Sequence, residues 1–173
     1  MRMFRTIVAS IACAAVLAGA SAQAQTANPY APYEFLIGDW DTGDGIRQSF
    51  SWGPEQAYIR YSTTTRGRDG ADHLHFEGIM VYNAANRNLD FLVALEPGSL
   101  AQEQGTLHVE ADGSVVRDVT LTGANGARSH FRQTFRSTGP ASAVTSLMRQ
   151  NASGAWGPNF PGSDNLAMTR RAG

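Results

Sequence analysis

Short runs of alternating polar and apolar residues recur along most of the chain, and each run ends at a turn signal. In Arg47–Trp52, for example, Gln48, Phe50 and Trp52 fall on one face and the intervening polar residues on the other. The runs recur at a spacing of roughly ten residues, which is typical of antiparallel meanders, sandwiches and barrels. Helical periodicity is not sustained anywhere, and only Pro32–Ile37 fits a single helical turn.

The alternation predicts about nine strands, which cover residues 47–52, 57–64, 73–82, 89–95, 105–110, 114–121, 128–136, 143–150 and 165–171. Asp112-Gly113 and Asn125-Gly126 are strong hairpin signals between neighbouring strands. The other connections are also short, whereas parallel strands need crossover segments of a dozen or more residues. The pattern therefore predicts an all-β, antiparallel meander.

The strand at 128–136 indicates how such a sheet buries its apolar face. Phe131, Gln133 and Phe135 share one face, and the opposite face carries Arg128, His130, Arg132, Thr134 and Arg136, which must be solvated. A sheet with one wet face has to cover the other, and closure into a barrel does so while removing exposed edges. The expected fold is a barrel of about eight to ten strands.

The N-terminal residues have the order of a secretory signal peptide. Met1–Arg5 is basic, Thr6–Ala20 is uncharged and apolar, and small residues around Ala22 offer a cleavage site. The apolar run is shorter than the about 20 residues that a membrane-spanning helix needs. We expect residues 1–24 to be removed, residues 25–173 to form one domain without an integral membrane segment, and the product to be periplasmic or secreted.

Composition narrows the chemistry that this domain could perform. The only cysteine of the full sequence, Cys13, lies in the predicted leader, so the mature chain has no thiolate nucleophile or disulfide. All 14 basic residues are arginine, which excludes Schiff-base chemistry and a P-loop lysine. Without Arg2 and Arg5, 12 basic residues face 15 acidic ones, a net charge of 12 − 15 = −3. No basic stripe exists, so nucleic acid is not an expected partner.

Three sequence phrases carry a resemblance to a known group of barrels. They are Phe35-Leu36-Ile37-Gly38-Asp39-Trp40, Phe76-Glu77-Gly78-Ile79-Met80-Val81-Tyr82 and Met168-Thr169-Arg170-Arg171. Gly-x-Trp at the first strand resembles the lipocalin and calycin signature, and the mature chain resembles the DUF1579 family of uncharacterised exported proteins. The resemblance implies a calycin-like barrel in which Trp40 closes one end and an arginine of the last strand, Arg170 or Arg171, lies over it.

The histidines are the sharpest candidates for chemistry, because residues two apart on a strand share a face. This spacing predicts that His73, His75 and Glu77 project together, as a solvated face, a ligand-contacting face or a metal site. The order resembles the first motif of cupins, but the spacing to the acid differs. Nitrobindin-like barrels bind haem through a histidine near the C-terminus, and no histidine follows His130. We therefore predict neither a metal site nor a cofactor.

The leading functional hypothesis is a barrel that binds a small apolar molecule in its lumen. Arg117 is notable because it shares a face with valines. Either the register of the strand differs from the predicted one, or the stem of Arg117 is buried and its head reaches water, or its head binds a ligand. One alternative is a cofactor-independent lyase, isomerase or hydratase that uses the lumen, and another is a structural module with a filled interior. A lumen of ~300 Å³ or more indicates a site, and polar groups deep inside it favour the enzyme. The predicted ligand-binding residues are Trp52, Tyr61, His75, Phe76, Phe91, Arg117, Phe131 and Gln133.

Overall fold

The computed structural model describes residues 28–43, 45–96 and 98–172. The predicted leader, residues 1–24, lies outside these residues. The described chain begins with a short 3-10 helix, Ala31–Leu36, at the position where the sequence predicts one helical turn. A second 3-10 turn, Pro54–Gln56, joins two strands. No helix in the described part of the chain is long and apolar enough to cross a membrane.

The described residues form eleven strands, and all of these pair antiparallel. They are β1 Gly38–Asp41, β2 Ile46–Trp52, β3 Ile59–Arg66, β4 Asp72–Asn83, β5 Asn88–Leu95, β6 Gln102–Val109, β7 Val115–Thr122, β8 Arg128–Gly139, β9 Ser142–Gln150, β10 Trp156–Pro158 and β11 Leu166–Arg170. Nine of them correspond to the strands that the alternation predicts. The short strands β1 and β10 are not among those nine, although the calycin resemblance places Gly38 and Trp40 in a first strand.

The meander closes on itself, which confirms the predicted barrel. Each strand from β1 to β8 pairs with the strand that follows it in the chain. Strand β11 lies between β9 and β1 and so joins the two ends of the meander. The strands β10 and β11 both lie along the same edge of β9, separated by residues 159–165. The closed barrel therefore has ten strands, with β10 as an extension beside β9.

Trp40 closes one end of the barrel, as the calycin resemblance implies. Its side chain is 1 % exposed, and its indole Nε1 donates a hydrogen bond to the Leu36 carbonyl at 2.7 Å. The guanidinium of Arg170, which is paired with Trp40 across β1 and β11, lies 4.4 Å from the indole ring. Arg170 also donates hydrogen bonds to the carbonyl oxygens of Phe35 and Ile37. The partner of Trp40 is thus Arg170, and not Arg171.

The N-terminal 3-10 helix completes this closed end. The Tyr33 hydroxyl donates to the Leu107 carbonyl, and the Tyr30 hydroxyl donates to the Ala57 carbonyl at 2.7 Å. Tyr30 also packs edge-on against Trp52, with ring centroids 5.6 Å apart. These contacts tie Tyr30 and the helix to β6, to the turn before β3 and to the end of β2. The apolar core therefore fills this half of the barrel, and open space is expected toward the other end.

Candidate functional site

A cavity of about 320 Å³ occupies the half of the barrel away from Trp40. Its volume exceeds the ~300 Å³ at which ligand pockets typically begin. The side chains that line it come from eight strands, from the loop after β1 and from the loop before β11, and most are inward-facing members of the strand alternation. They are Thr42, Ile46, Gln48, Tyr61, Thr63, Thr65, His75, Phe76, Glu103, Arg117, Gln133, Thr145, Leu147, Phe160 and Leu166.

A buried ion pair forms part of the cavity wall. Arg117 on β7 is 3 % exposed and Glu103 on β6 is 9 % exposed. The guanidinium Nη2 donates to the Glu103 carboxylate at 2.5 Å, and Nη1 lies 3.5 Å from the Gln133 amide oxygen. The guanidinium carbon also lies 4.3 Å from the Phe91 ring centroid and 4.9 Å from that of Tyr61. Arg117 is therefore held inside the lumen by charge and by two aromatic faces, and its head does not reach outer solvent.

Tyr61 is the centre of a second polar group beside this ion pair. Its hydroxyl lies 2.7 Å from the Thr63 hydroxyl, and it accepts a hydrogen bond of 3.2 Å from the Gln48 amide. Burial raises the pKa of the Tyr61 hydroxyl above its usual value of 10.0, although the nearby Arg117 opposes part of this shift. The hydroxyl therefore stays protonated near neutral pH and is a potential hydrogen-bond donor inside the barrel.

The predicted common face of His73, His75 and Glu77 is wrong, because a β-bulge interrupts the alternation. The register between β3 and β4 shifts at Thr63/Thr64, so that Phe76 pairs with Thr63 and Leu74 with Thr64. An extra residue of this kind displaces the side chains on one side of it to the other face. His75 consequently lines the cavity, whereas Glu77 is exposed on the outer surface.

His75 lies at the mouth of the cavity and is held from both sides. Its Nε2 is 2.6 Å from the Thr65 hydroxyl, and its Nδ1 is 2.9 Å from the Glu96 carboxylate. His73 is not among the residues that line the cavity, and its Nε2 lies 3.3 Å from the Asp69 carboxylate. Within residues 28–43, 45–96 and 98–172, no group of three His, Cys, Asp or Glu side chains is arranged to hold a metal ion.

The structure brings together five of the eight residues predicted to bind a ligand. Those five line the cavity: Tyr61, His75, Phe76, Arg117 and Gln133. The other three lie outside it. Trp52 packs at the closed end against Tyr30, Phe91 lies beneath the guanidinium of Arg117, and Phe131 is half-buried beside Arg149.

The sequence pattern does not predict several of the cavity residues, of which Glu103 is the most important. The predicted strand began at Gly105, but β6 begins at Gln102. Extending the period-two alternation of Leu107 and Gly105 back by one step reaches Glu103, so a signal was present. The charge of Glu103 nevertheless favours an outward position, because carboxylates are almost never fully buried unless they are paired. The partner, Arg117, lies in the next strand.

Comparisons with family models, with curated proteins and with solved structures find no match to this chain. What the structure shows is the closed ten-stranded antiparallel barrel and the stacking of Arg170 on Trp40, which are consistent with the resemblance to calycin barrels.

Proposed function

We propose that this protein binds a small, largely apolar molecule in the lumen of its barrel. The observation that carries the proposal is the cavity of about 320 Å³ that opens opposite the end closed by Trp40. A barrel that served only as a structural module would fill this space with side chains. The proposal extends to an exported location, periplasmic or secreted, which the leader in the sequence favours.

The chemistry of the lining supports a ligand with more than one kind of surface. Apolar side chains surround the outer part of the cavity, among them Ile46, Leu147, Phe160 and Leu166. Polar side chains with a fixed hydrogen-bond arrangement lie deeper, as the contacts of Tyr61 and Arg117 illustrate. Mostly apolar walls with a few well-placed polar groups are the usual composition of a small-molecule site.

A pair of matched tryptophan variants tests the proposal. Leu147→Trp adds bulk on the cavity wall, whereas Leu92→Trp makes the same change on the outer face, where Leu92 is 53 % exposed. N-phenylnaphthylamine, an uncharged dye whose emission rises in apolar surroundings, serves as the probe. We expect the wild type and Leu92→Trp to bind it alike, and Leu147→Trp to bind at least tenfold more weakly. Unchanged binding by Leu147→Trp would place the dye outside the lumen and contradict the proposal.

An enzyme that uses the same lumen is the second candidate, and the deep polar groups favour it. Tyr61 supplies a hydroxyl, Glu103 a carboxylate and Arg117 a cation within one wall of the cavity. Such groups could move a proton without a cofactor. The two candidates differ in the fate of the ligand. A binder returns the molecule unchanged after incubation with excess protein, whereas a lyase, isomerase or hydratase returns altered NMR shifts or an altered mass.

A further inference from the structure

The two charged side chains on the cavity wall neutralise each other. The Glu103 carboxylate and the Arg117 guanidinium are in direct contact at 2.5 Å, and both side chains are shielded from outer solvent. Among the described residues that line the cavity, the only other side chains that titrate are Tyr61 and His75. Tyr61 is neutral, and His75 is at the mouth beside Glu96. The inner wall is therefore strongly polar but carries no net charge.

The ion pair still has hydrogen-bonding capacity that the protein does not use. A guanidinium has five N–H donors, and the described residues accept from Nη1 and Nη2 once each. The Arg117 Nε also lacks a partner within the described chain, but it has almost no accessible surface and so cannot donate to a ligand in the cavity. A carboxylate can accept about four hydrogen bonds, and the side chain of Glu103 is reached by this one guanidinium donor. A ligand group that both accepts and donates would complement this wall.

A charged head group fits this wall poorly. A carboxylate drawn toward Arg117 would also meet Glu103, and an ammonium drawn toward Glu103 would also meet Arg117, since their polar atoms are 2.5 Å apart. Either ion would lose its hydration on entering the cavity, and the described residues of the cavity wall offer it no unpaired counter-charge. An uncharged amide or hydroxyl loses less hydration and can still form charge-assisted hydrogen bonds with both partners.

We infer that the lumen selects uncharged amphiphiles, with an amide or hydroxyl head at Arg117 and Glu103 and an apolar tail toward Leu147 and Phe160. This inference rests on the proposed function, because it names the chemical class of the molecule bound in the same cavity. The placement follows from the lining, in which the ion pair lies on the inner wall and the apolar side chains surround the space before it.

A series of ligands with one tail and four heads tests the inference on the wild-type protein. Octanamide, octanol, octanoate and octylammonium are titrated by calorimetry at neutral pH, together with N-phenylnaphthylamine. We expect octanamide and octanol to bind at least tenfold more tightly than both ions. Tightest binding by octanoate or octylammonium, or equal binding of all four, overturns the head-group inference while lumen binding stands. Binding of the dye alone overturns it too. No binding by any ligand, dye included, refutes the proposed function itself.

A charge-neutralising variant adds a specificity switch to this test. Glu103→Gln leaves Arg117 without its counter-charge, so we expect octanoate affinity to rise at least tenfold relative to octanamide. The matched control is Glu77→Gln, which removes a carboxylate from the exposed face of β4 and should leave the order of the four ligands unchanged. An unchanged order in a folded Glu103→Gln protein contradicts the inference. Should that variant not fold, the wild-type series decides alone.

Discussion

Replacing Trp40 with alanine removes the side chain that closes one end of the barrel. The indole is 1 % exposed, and its neighbours are held by the sheet and by the N-terminal 3-10 helix. An aromatic side chain of this kind buries ~150–250 Å², which at about 25 cal/mol per Å² corresponds to ~4–6 kcal/mol. This value is an upper bound, because the unfolded chain already buries part of its apolar surface.

Two further contacts disappear with the ring. The hydrogen bond to the Leu36 carbonyl is lost, and Arg170 loses an aromatic face that contributes roughly 0.5–2 kcal/mol. The strands around the gap cannot easily collapse into it, because each is held by ladder hydrogen bonds on both sides. Large core aromatics replaced by alanine typically cost about 3–5 kcal/mol. We therefore expect Trp40→Ala to lower the free energy of unfolding by about 3–5 kcal/mol.

Urea titration followed by circular dichroism measures this loss. Trp156→Ala is the matched control, because Trp156 is on the surface with a stacked arginine, Arg132, and should change stability by less than about 1 kcal/mol. Arg170→Ala should fall between the two, and Arg171→Ala should be close to neutral, since Arg171 makes a long, exposed ion pair. A Trp40→Ala protein within 1 kcal/mol of wild type would refute the role of Trp40 as the barrel closure.

Three other perturbations test the interior. Glu103→Leu should lower the free energy of unfolding by about 3–5 kcal/mol, because it leaves the Arg117 charge buried without a partner. The double variant Glu103→Leu/Arg117→Met should recover most of that loss in urea titration. Equal losses in the single and the double variant would contradict the pairing. Gly38→Ala should destabilise by about 1–3 kcal/mol, because φ is +135° there and a Cβ would lie 2.5 Å from Arg170; a neutral effect would contradict the close approach. Tyr61 has a raised pKa when folded, so the stability that it contributes is present below pH 10 and is lost as pH rises above it. Tyr61→Phe should therefore flatten the alkaline decline in urea midpoint, and an unchanged slope would count against its burial.

The barrel could be predicted because one physical rule operates along the whole chain. Period-two alternation marks a sheet with one wet face, and tight turns restrict neighbouring strands to antiparallel pairing. On this basis the alternation predicts that Phe131, Gln133 and Phe135 face inward, and Gln133 and Phe135 are buried. Strand β10 escaped prediction because three residues are too few for a period to be visible.

The cavity could be predicted only in part, because its polar wall depends on pairing across strands. Alternation placed Arg117 among valines, but the residue that makes its burial tolerable is Glu103, fourteen positions earlier in sequence. Alternation also predicts, wrongly, that His75 and Glu77 share a face. The β-bulge that separates them depends on the register between β3 and β4 and cannot be recognised from the sequence of β4 alone. Local pattern thus identifies faces, whereas charge compensation and register are properties of the assembled sheet.

Native mass spectrometry of the protein, purified without denaturation from the cells that produce it, tests lumen binding most directly. We expect a complex of one polypeptide with one small molecule, which collisional activation releases as a neutral species. The complex should be retained by Leu92→Trp and lost from Leu147→Trp, because the second variant alone fills the cavity. Lumen binding would be contradicted if the wild type showed only the mass of the polypeptide. It would also be contradicted if both variants retained the complex equally.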